Sequence, residues 1–375
     1  MRILHVVPTF FPAVAYGGPI YSLLHLCRNL SDIGCDIRVV TTDANGASRL
    51  TPGQQGDPAL GPLAVHYCRR LGSGMAAPHL LRRVYDQSRW ADLIHLTAVY
   101  NFPTVPTLLV AAMRGKPLVW SPRGTLQRWS GSRRLAAKAL WESMCRAVMP
   151  QRLALHVTSE QEAAESAPRL GNPPSVSIPN GVEIPPLPSV PECNGLLKLL
   201  FIGRIDPKKG LDNLISSAIL LSRSGFTAWH LTIAGSGHPS YVESLRKLTS
   251  NGGIADKVEF TGHLEGHEKY LAFSHCDVVV VPSHTENFGN VVAEALAHAR
   301  PVITSRGTPW AEVQARQCGL WIDNTPSSLA CAIRQIDGGE RLAMGERGRA
   351  WMTASFSWHV RARQMLALYE HLLAA

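Results

Sequence analysis

Two carboxylates, Glu286 and Glu294, bracket the run Asn287-Phe288-Gly289-Asn290-Val291. The stretch from Asp277 to Pro282 is apolar and short, as a buried parallel strand is, and Val302-Ile303-Thr304 reads as the strand that follows. The spacing predicts a strand, a polar turn carrying Glu286 and Gly289, and a helix from near Asn290 with Glu294 in its first turns. A strand that ends against a helix N-terminus offers unpaired backbone N–H groups and the positive end of a dipole, which suits phosphates and sugar oxygens. The plain alternatives are a helix-capping acid for Glu286 and a surface acid for Glu294.

Two other turns carry the same kind of signal. The apolar run Leu199-Leu200-Phe201-Ile202 stops at Gly203 and passes through Arg204-Ile205-Asp206-Pro207-Lys208-Lys209 to Gly210. The forked donor of Arg204 and the point charge of Lys209 at a strand-to-helix turn suit a diphosphate. Taken alone, the loop could equally be a solvated basic turn. Near the start, Tyr16-Gly17-Gly18-Pro19 places two glycines before a helix, which permits close backbone approach; on its own a plain structural turn is the better reading.

The elements needed to hold these turns alternate along all 375 residues. Strands are expected at Ile3–Val7, Ile37–Thr41, Leu63–Tyr67, Leu93–Leu96, Leu118–Trp120, Leu153–Val157 and Ser175–Pro179, with helices at Ile20–Leu30 and from Ser159-Glu160. Pro185, Pro186, Pro188 and Pro191 then crowd one segment. After it the pattern restarts with strands at Leu197–Ile202, Trp229–Ala234 and Lys257–Phe260 and helices at Leu211–Arg223 and Tyr241–Asn251. The fold class is α/β, with two Rossmann-like doubly wound domains facing across a cleft. The boundaries are 1–183, a linker at 184–195, 196–356, and a last helix in 357–375 packing back across the hinge.

The net charge of +9 is unevenly placed. Between Arg114 and Arg152 nine bases face one acid, Glu142, a local net of +8. Leu135, Ala139, Leu140, Met144 and Val148 recur there at helical spacing, so an amphipathic helix is expected. Its basic face reads either as a solvated surface or as a dock for anionic lipid headgroups or a phosphorylated acceptor. Trp129 and Trp141 fit a membrane interface or a core. No helix-turn-helix, zinc finger or aromatic-basic RNA motif accompanies the charge, so nucleic acid is not an expected partner. The eight cysteines are scattered without a C-x-x-C pair, no apolar run is long enough to span a bilayer, and Arg2 to Pro8 reads as a strand rather than a signal peptide. A reduced cytoplasmic protein is expected, with a peripheral position at the inner face of the membrane as the alternative.

Gly17-Gly18, Gly203-Arg204 with Lys209-Gly210, Ile178-Pro-Asn-Gly-Val182 before the linker, and Glu286-x7-Glu294 stand in the order found in the retaining GT-B glycosyltransferases of family 4, which the chain resembles over nearly its whole length. Glu286-Asn-Phe-Gly-Asn-Val-Val and Ser121-Pro-Arg-Gly124 look most like enzymes of bacterial exopolysaccharide and lipopolysaccharide assembly. The resemblance implies transfer, with retention, of a hexose-type sugar from a UDP- or GDP-sugar to a lipid-linked or polysaccharide acceptor. It implies that Arg204 and Lys209 bind the donor diphosphate and that Glu294 takes the ribose hydroxyls. Glu286 would contact sugar hydroxyls or the oxocarbenium-like transition state. Backbone N–H groups of Phe288, Gly289, Asn290 and Val291 would cap sugar and phosphate oxygens, with Gly17 and Gly18 closing the donor site. No cofactor beyond the donor substrate is implied, and the sequence has no D-x-D triplet to hold a metal ion, so metal independence is expected. One departure stands out. Arg123 falls about where many members carry a histidine beside the anomeric centre. It either contacts a donor or acceptor anion, as a catalytic candidate, or is a structural arginine on a backbone carbonyl. His95 and Asn101 are weaker candidates, and the side chain of His263 is given no role. A sugar-nucleotide epimerase or phosphorylase, or a donor-binding protein without transfer activity, are the alternative functions.

Overall fold

The computed structural model describes residues 1–72, 76–127, 134–187 and 195–375. Arg128, Trp129, Arg133, Pro188 and Pro191 lie outside the described residues. The chain forms two compact units, Met1–Gly181 with Trp358–Ala375, and Val182–Ser357.

Among the described residues the first unit holds a seven-stranded parallel sheet, in the order Ala64–Cys68, Asp36–Thr42, Arg2–Val6, Leu93–Thr97, Leu118–Ser121, Leu153–Val157, Ser175–Ser177. Successive side chains point to opposite faces, and both faces are covered, so each strand reads as a nearly continuous apolar run. Ile3, Val39, Leu93 and Val119 meet the helices Gly18–Asp32 and Trp358–Ala374. Leu4, Ile94, Leu96 and Trp120 meet the helices Pro78–Trp90, Thr104–Met113 and Leu135–Ala147 on the other face. The last helix therefore belongs to the core of the first unit. The chain leaves that unit at Gly181 and returns at Trp358, whose indole ring lies so close to Gly181 that a Cβ there would come within 2.4 Å of it.

The helix Leu135–Ala147 forms as its spacing predicts, but the apolar stripe points outward. Leu135, Leu140 and Met144 are exposed, Leu140 by 65%, while Glu142 and Cys145 are buried. Polar anchors decide this orientation: Glu142 accepts a hydrogen bond from the Tyr100 hydroxyl, and Trp141 donates from Nε1 to the Val99 carbonyl at 2.8 Å.

The second unit repeats the architecture with six parallel strands in the order Val258–Gly262, Trp229–Ala234, Leu197–Ile202, Val278–Val281, Val302–Ser305, Gly319–Ile322. In chain order this is 3-2-1-4-5-6, the doubly wound arrangement whose winding reverses between its first and fourth strands. Phe201, Leu231 and Val280 pack under the helices Leu211–Arg223 and Pro326–Asp337. Leu200, Val279 and Val281 pack against Phe273 and the helix Asn290–Ala297. The strand Gly319–Ile322 and the helices Pro78–Trp90, Thr104–Met113, Gly266–His275, Pro326–Asp337 and Arg341–Trp351 are additional to those expected from the sequence.

A polar chain threads the apolar interior of the first unit. His156 Nε2 meets the Ile178 carbonyl at 2.9 Å, which can only accept, so Nδ1 accepts from Ser121 Oγ at 2.6 Å. Ser121 in turn accepts from His95 Nε2 at 2.6 Å, and His95 Nδ1 accepts from the Tyr369 hydroxyl at 2.6 Å. Every imidazole is neutral in this arrangement. His5 lies against His95, ring centroids 4.6 Å apart and planes tilted by 32°, with neither ring nitrogen hydrogen-bonded. Burial lowers the pKa of His5 and of His156 to about 3 and that of His95 well below its usual range, and the nearby Arg123 adds to each shift. Below about pH 6.5 the unfolded chain takes up protons that the folded one refuses until about pH 3, so stability falls as the pH drops through that window. The slope is about 1.4 kcal/mol per pH unit for each such histidine. Thermal melts should show Tm declining from pH 7 to pH 5, and His5→Leu should flatten that decline. An unchanged Tm over this range would contradict the neutral chain.

Candidate functional site

The carboxyl ends of the first and fourth strands of the second unit lie beside each other, paired through Leu199 with Val278 and Leu200 with Val279. Each runs into one of the chemistry-bearing turns. After Ile202, Asp206 starts a short helical turn by accepting from Lys208 N at 2.9 Å, and Gly210 ends it with φ +64°. A Cβ on Gly210 would stand 2.1 Å from the Pro282 carbonyl oxygen and 2.7 Å from Asn324 Nδ2. The two turns thus touch backbone to backbone, which only glycine permits. Asn324 Nδ2 donates to the Pro282 carbonyl at 2.5 Å, and His284 N donates to the Lys208 carbonyl at 2.8 Å.

This lacing sets Lys209 against Glu286. The Lys209 amine donates to Glu286 Oε1, which also accepts from Ser283 Oγ at 2.8 Å, and Glu286 N donates to the Gly307 carbonyl at 2.8 Å. Only 20% and 15% of the two side chains is exposed. Lys208 is half-buried beside them. Burial lowers its pKa, Glu286 acts against that shift, and Lys209 and Arg204 add to it. Arg204 is exposed. Three cations, Arg204, Lys208 and Lys209, and two carboxylates, Glu286 and Asp206, therefore share these strand ends, leaving a small excess of positive charge. Lys208 was not singled out from the sequence. Its place next to Lys209 was the available signal.

The helix Asn290–Ala297 begins after Gly289, whose φ of +79° makes the turn. Phe288 is buried, its carbonyl taken by Trp310 Nε1 at 2.5 Å. Val291 is half-buried in the first turn of this helix. Glu294 is in that helix and pairs with Lys269 at 2.7 Å. Its backbone carbonyl accepts from His298 Nδ1 at 2.7 Å. Lys269, Asn324 and Trp310 come from segments distant in sequence, and no local pattern marks them, whereas Ser283 lies three residues before Glu286 in the same turn.

The remaining candidates belong to the first unit. Gly17, at φ +75°, precedes the helix that opens with Gly18, beyond the carboxyl end of Arg2–Val6. Arg123 follows the strand Leu118–Ser121 in a left-handed conformation, φ +54°. Its Nη1 donates to Asn180 Oδ1. Burial lowers its pKa, opposed first by Glu162. Glu162 is held by Gly124 N at 2.5 Å and Thr158 N at 2.8 Å. The partner of Arg123 is thus a side-chain amide oxygen rather than the backbone carbonyl considered from sequence. His95 is part of the buried polar chain, the Asn101 N–H donates to the Val99 carbonyl, and His263 pairs at the surface with Glu265.

Residues 17–181 match the family model described as glycosyl transferase 4-like domain, and residues 191–351 that described as glycosyl transferases group 1. The chain thus carries one domain of each of these two glycosyltransferase families. It is 35% identical over 192 residues to a D-inositol 3-phosphate glycosyltransferase of Frankia alni, covering 47% of this chain and 46% of that one. Over 176 residues it is 35% identical to a GDP-mannose-dependent alpha-(1-6)-phosphatidylinositol monomannoside mannosyltransferase of Mycobacterium tuberculosis, covering 44% and 45%. The chain thus spans about half the length of the curated relatives it matches. In fold this chain is similar to the Anabaena protein HepE solved with UDP, at TM-score 0.78, 18% identity and coverage of 99% and 100%. It is also similar to a sucrose-phosphate synthase of Thermosynechococcus elongatus, at TM-score 0.75, 19% identity and coverage of 100% of both chains. The architecture is that of GT-B glycosyltransferases.

The contact at Gly210 can be tested against a glycine with similar φ and open surroundings. Gly210→Ala should lower unfolding free energy by about 2–4 kcal/mol, from backbone strain and from displacement of the Pro282 turn. Gly253→Ala, at φ +69° with no atom within 4 Å of the new Cβ, should cost about 1 kcal/mol. Chemical denaturation measures both, and equal costs would remove the close approach as the reason for the glycine.

Proposed function

We propose that the protein is a nucleotide-sugar-dependent, retaining glycosyltransferase. The observation that carries this reading is the meeting of Arg204, Lys208, Lys209 and Glu286 at the winding reversal of the second sheet, inside the segment that matches glycosyl transferases group 1. Breaking a glycosyl-phosphate bond puts negative charge on the departing diphosphate and positive charge on the anomeric carbon. The three cations and the N-terminus of the helix Asn290–Ala297 stabilise the first, and Glu286 the second. Lys209 spends one of its three N–H donors on Glu286, leaving two for diphosphate oxygens. Glu294 receives the ribose hydroxyls. With bases in this role the reaction needs no divalent metal. The relatives named for phosphoinositol acceptors support a lipid-linked or phosphorylated acceptor, with cell-surface glycan assembly as the wider setting.

A second observation bears on where the protein works. Three helices on one face of the first sheet expose Tyr85, Leu109, Met113, Leu135, Leu140 and Met144. Arg82, Arg83, Arg134 and Arg146 stand exposed among them. No helix among the described residues is long and apolar enough to cross a membrane. An apolar face set among bases matches the interface of an anionic bilayer, so the proposal includes peripheral attachment at the cytoplasmic face.

Glu286→Gln should lower kcat by about 100-fold or more while the thermal shift produced by UDP or GDP stays near that of the unaltered protein. Near-normal turnover would overturn the role of Glu286. Turnover of the donor to an isomeric sugar nucleotide without any acceptor would turn the reading to an epimerase. Chelation of divalent ions should leave transfer intact. Leu140→Asp with Met144→Asp should weaken co-sedimentation with vesicles containing phosphatidylglycerol about tenfold without changing turnover of a soluble acceptor. Retention of vesicle binding would exclude this face.

A further inference from the structure

The basic run between Arg114 and Arg152 is scattered in sequence, but three of its members converge. The strands Arg2–Val6, Leu93–Thr97, Leu118–Ser121 and Leu153–Val157 are neighbours in the first sheet, and their amino ends share one edge. Against that edge lies an open cavity of about 500 Å³, lined by Arg114, Lys116, Arg152, Asp92, Pro117 and Leu373 among others. Gly17, Gly18 and Arg123 follow the carboxyl ends of strands of the same sheet, so this cavity is remote from them.

The cavity's charges are unbalanced. Asp92 is already engaged, receiving the Arg2 guanidinium at 2.6 Å and the Arg2 N–H at 2.8 Å. Lys116 is anchored by one donor to the Ala91 carbonyl at 2.6 Å, and Arg152 by Nη2 to the Gly115 carbonyl at 2.9 Å. These bonds hold each cation in position and leave its other N–H donors unspent. Arg114 stacks on the Tyr85 ring, 4.1 Å from its centroid, with Nε and Nη2 buried and unpaired. No carboxylate pairs with Arg114, Lys116 or Arg152 among the described residues. A partly desolvated arginine held by an aromatic face, beside two anchored cations, is costly without an anion and suited to contact with one.

We propose that this cavity is a binding site for a phosphate-type oxyanion, separate from the donor site and independent of the transfer reading. Arg114 would supply its guanidinium through Nη1, with Lys116 and Arg152 closing on the remaining oxygens. Free phosphate and the phosphate of a lipid headgroup share this chemistry. Met113, 71% exposed, directly precedes Arg114 and would lie against the lipid in the second case.

Calorimetric titration with inorganic phosphate, and co-sedimentation with phosphatidylcholine vesicles containing phosphatidic acid, separate the two sources. Each is run on the whole chain, on Arg114→Gln/Arg152→Gln, and on Arg204→Gln/Lys209→Gln. If the ligand is free phosphate, the pocket variant should lose one phosphate-binding class, with affinity down at least about tenfold, and the donor-site variant should keep it. If it is a headgroup, the pocket variant should lose vesicle binding by a similar factor, whatever its response to phosphate. Arg152→Gln alone removes an exposed side chain and serves as a folded control should the double variant unfold. Phosphate and vesicle binding both equal to those of the unaltered protein, in folded pocket variants, would overturn the site.

Discussion

The contact between Lys209 and Glu286 is the constraint around which the second unit is organised. Their turns leave two strands that are neighbours in the sheet but about 75 residues apart in the chain. Only parallel pairing in one register, Leu199 with Val278, brings those ends level. Only a glycine at 210 lets the turns close, because the Pro282 carbonyl fills the place of a Cβ. The pair is mostly out of water, so either partner alone would keep its desolvation cost without its attraction. Ser283 and the Gly307 carbonyl restrain Glu286 from the other side. The acid is thus held by contacts from three separate turns.

The two units share an architecture but place their polar groups differently. In the second, charge collects at the carboxyl ends of the strands, at the surface, where it can meet a ligand. In the first, polarity runs through the interior as neutral imidazoles, a serine and a tyrosine, each satisfied by the next. Such a chain is favourable only when every member is paired, and His5, lying beside it without a partner, is its exception. The same chain ties strands of the sheet to the last helix through Tyr369, so part of what holds that helix is directional rather than apolar.

Much of this organisation was legible in the sequence because parallel strands buried on both faces are short apolar runs. Leu153–Val157, Leu197–Ile202 and Trp229–Ala234 were placed at their observed bounds. Gly319–Ile322 escaped because it is a four-residue edge strand whose last three residues are half-buried, so neither a continuous apolar run nor a clean alternation marks it. The helix Leu135–Ala147 was recognised from its period, but period does not say which way a stripe faces. That was decided by Tyr100 and Val99, which lie on another segment. At the candidate site, Arg204, Lys209 and Glu286 were visible because each follows a strand end within seven residues, and Glu294 because it lies in the helix that the same turn opens. Lys269 and Asn324 were not, since their relation to Glu294 and Pro282 exists only after the chain has folded.

The first unit is discontinuous, and this has a consequence for how the chain acquires its shape. Val182–Ser357 is an unbroken stretch that holds all of its own strands and helices. The sheet of the first unit is made earlier, yet one of its faces is covered only in part, by Gly18–Asp32, until Met365, Leu368, Tyr369 and Leu372 follow from the other side of the second unit. During synthesis, the half translated first must therefore wait for the half translated second. It waits with Ile3, Val39 and Leu93 packed only in part and with His95 lacking its tyrosine donor. The unit translated first of the two is the one completed last.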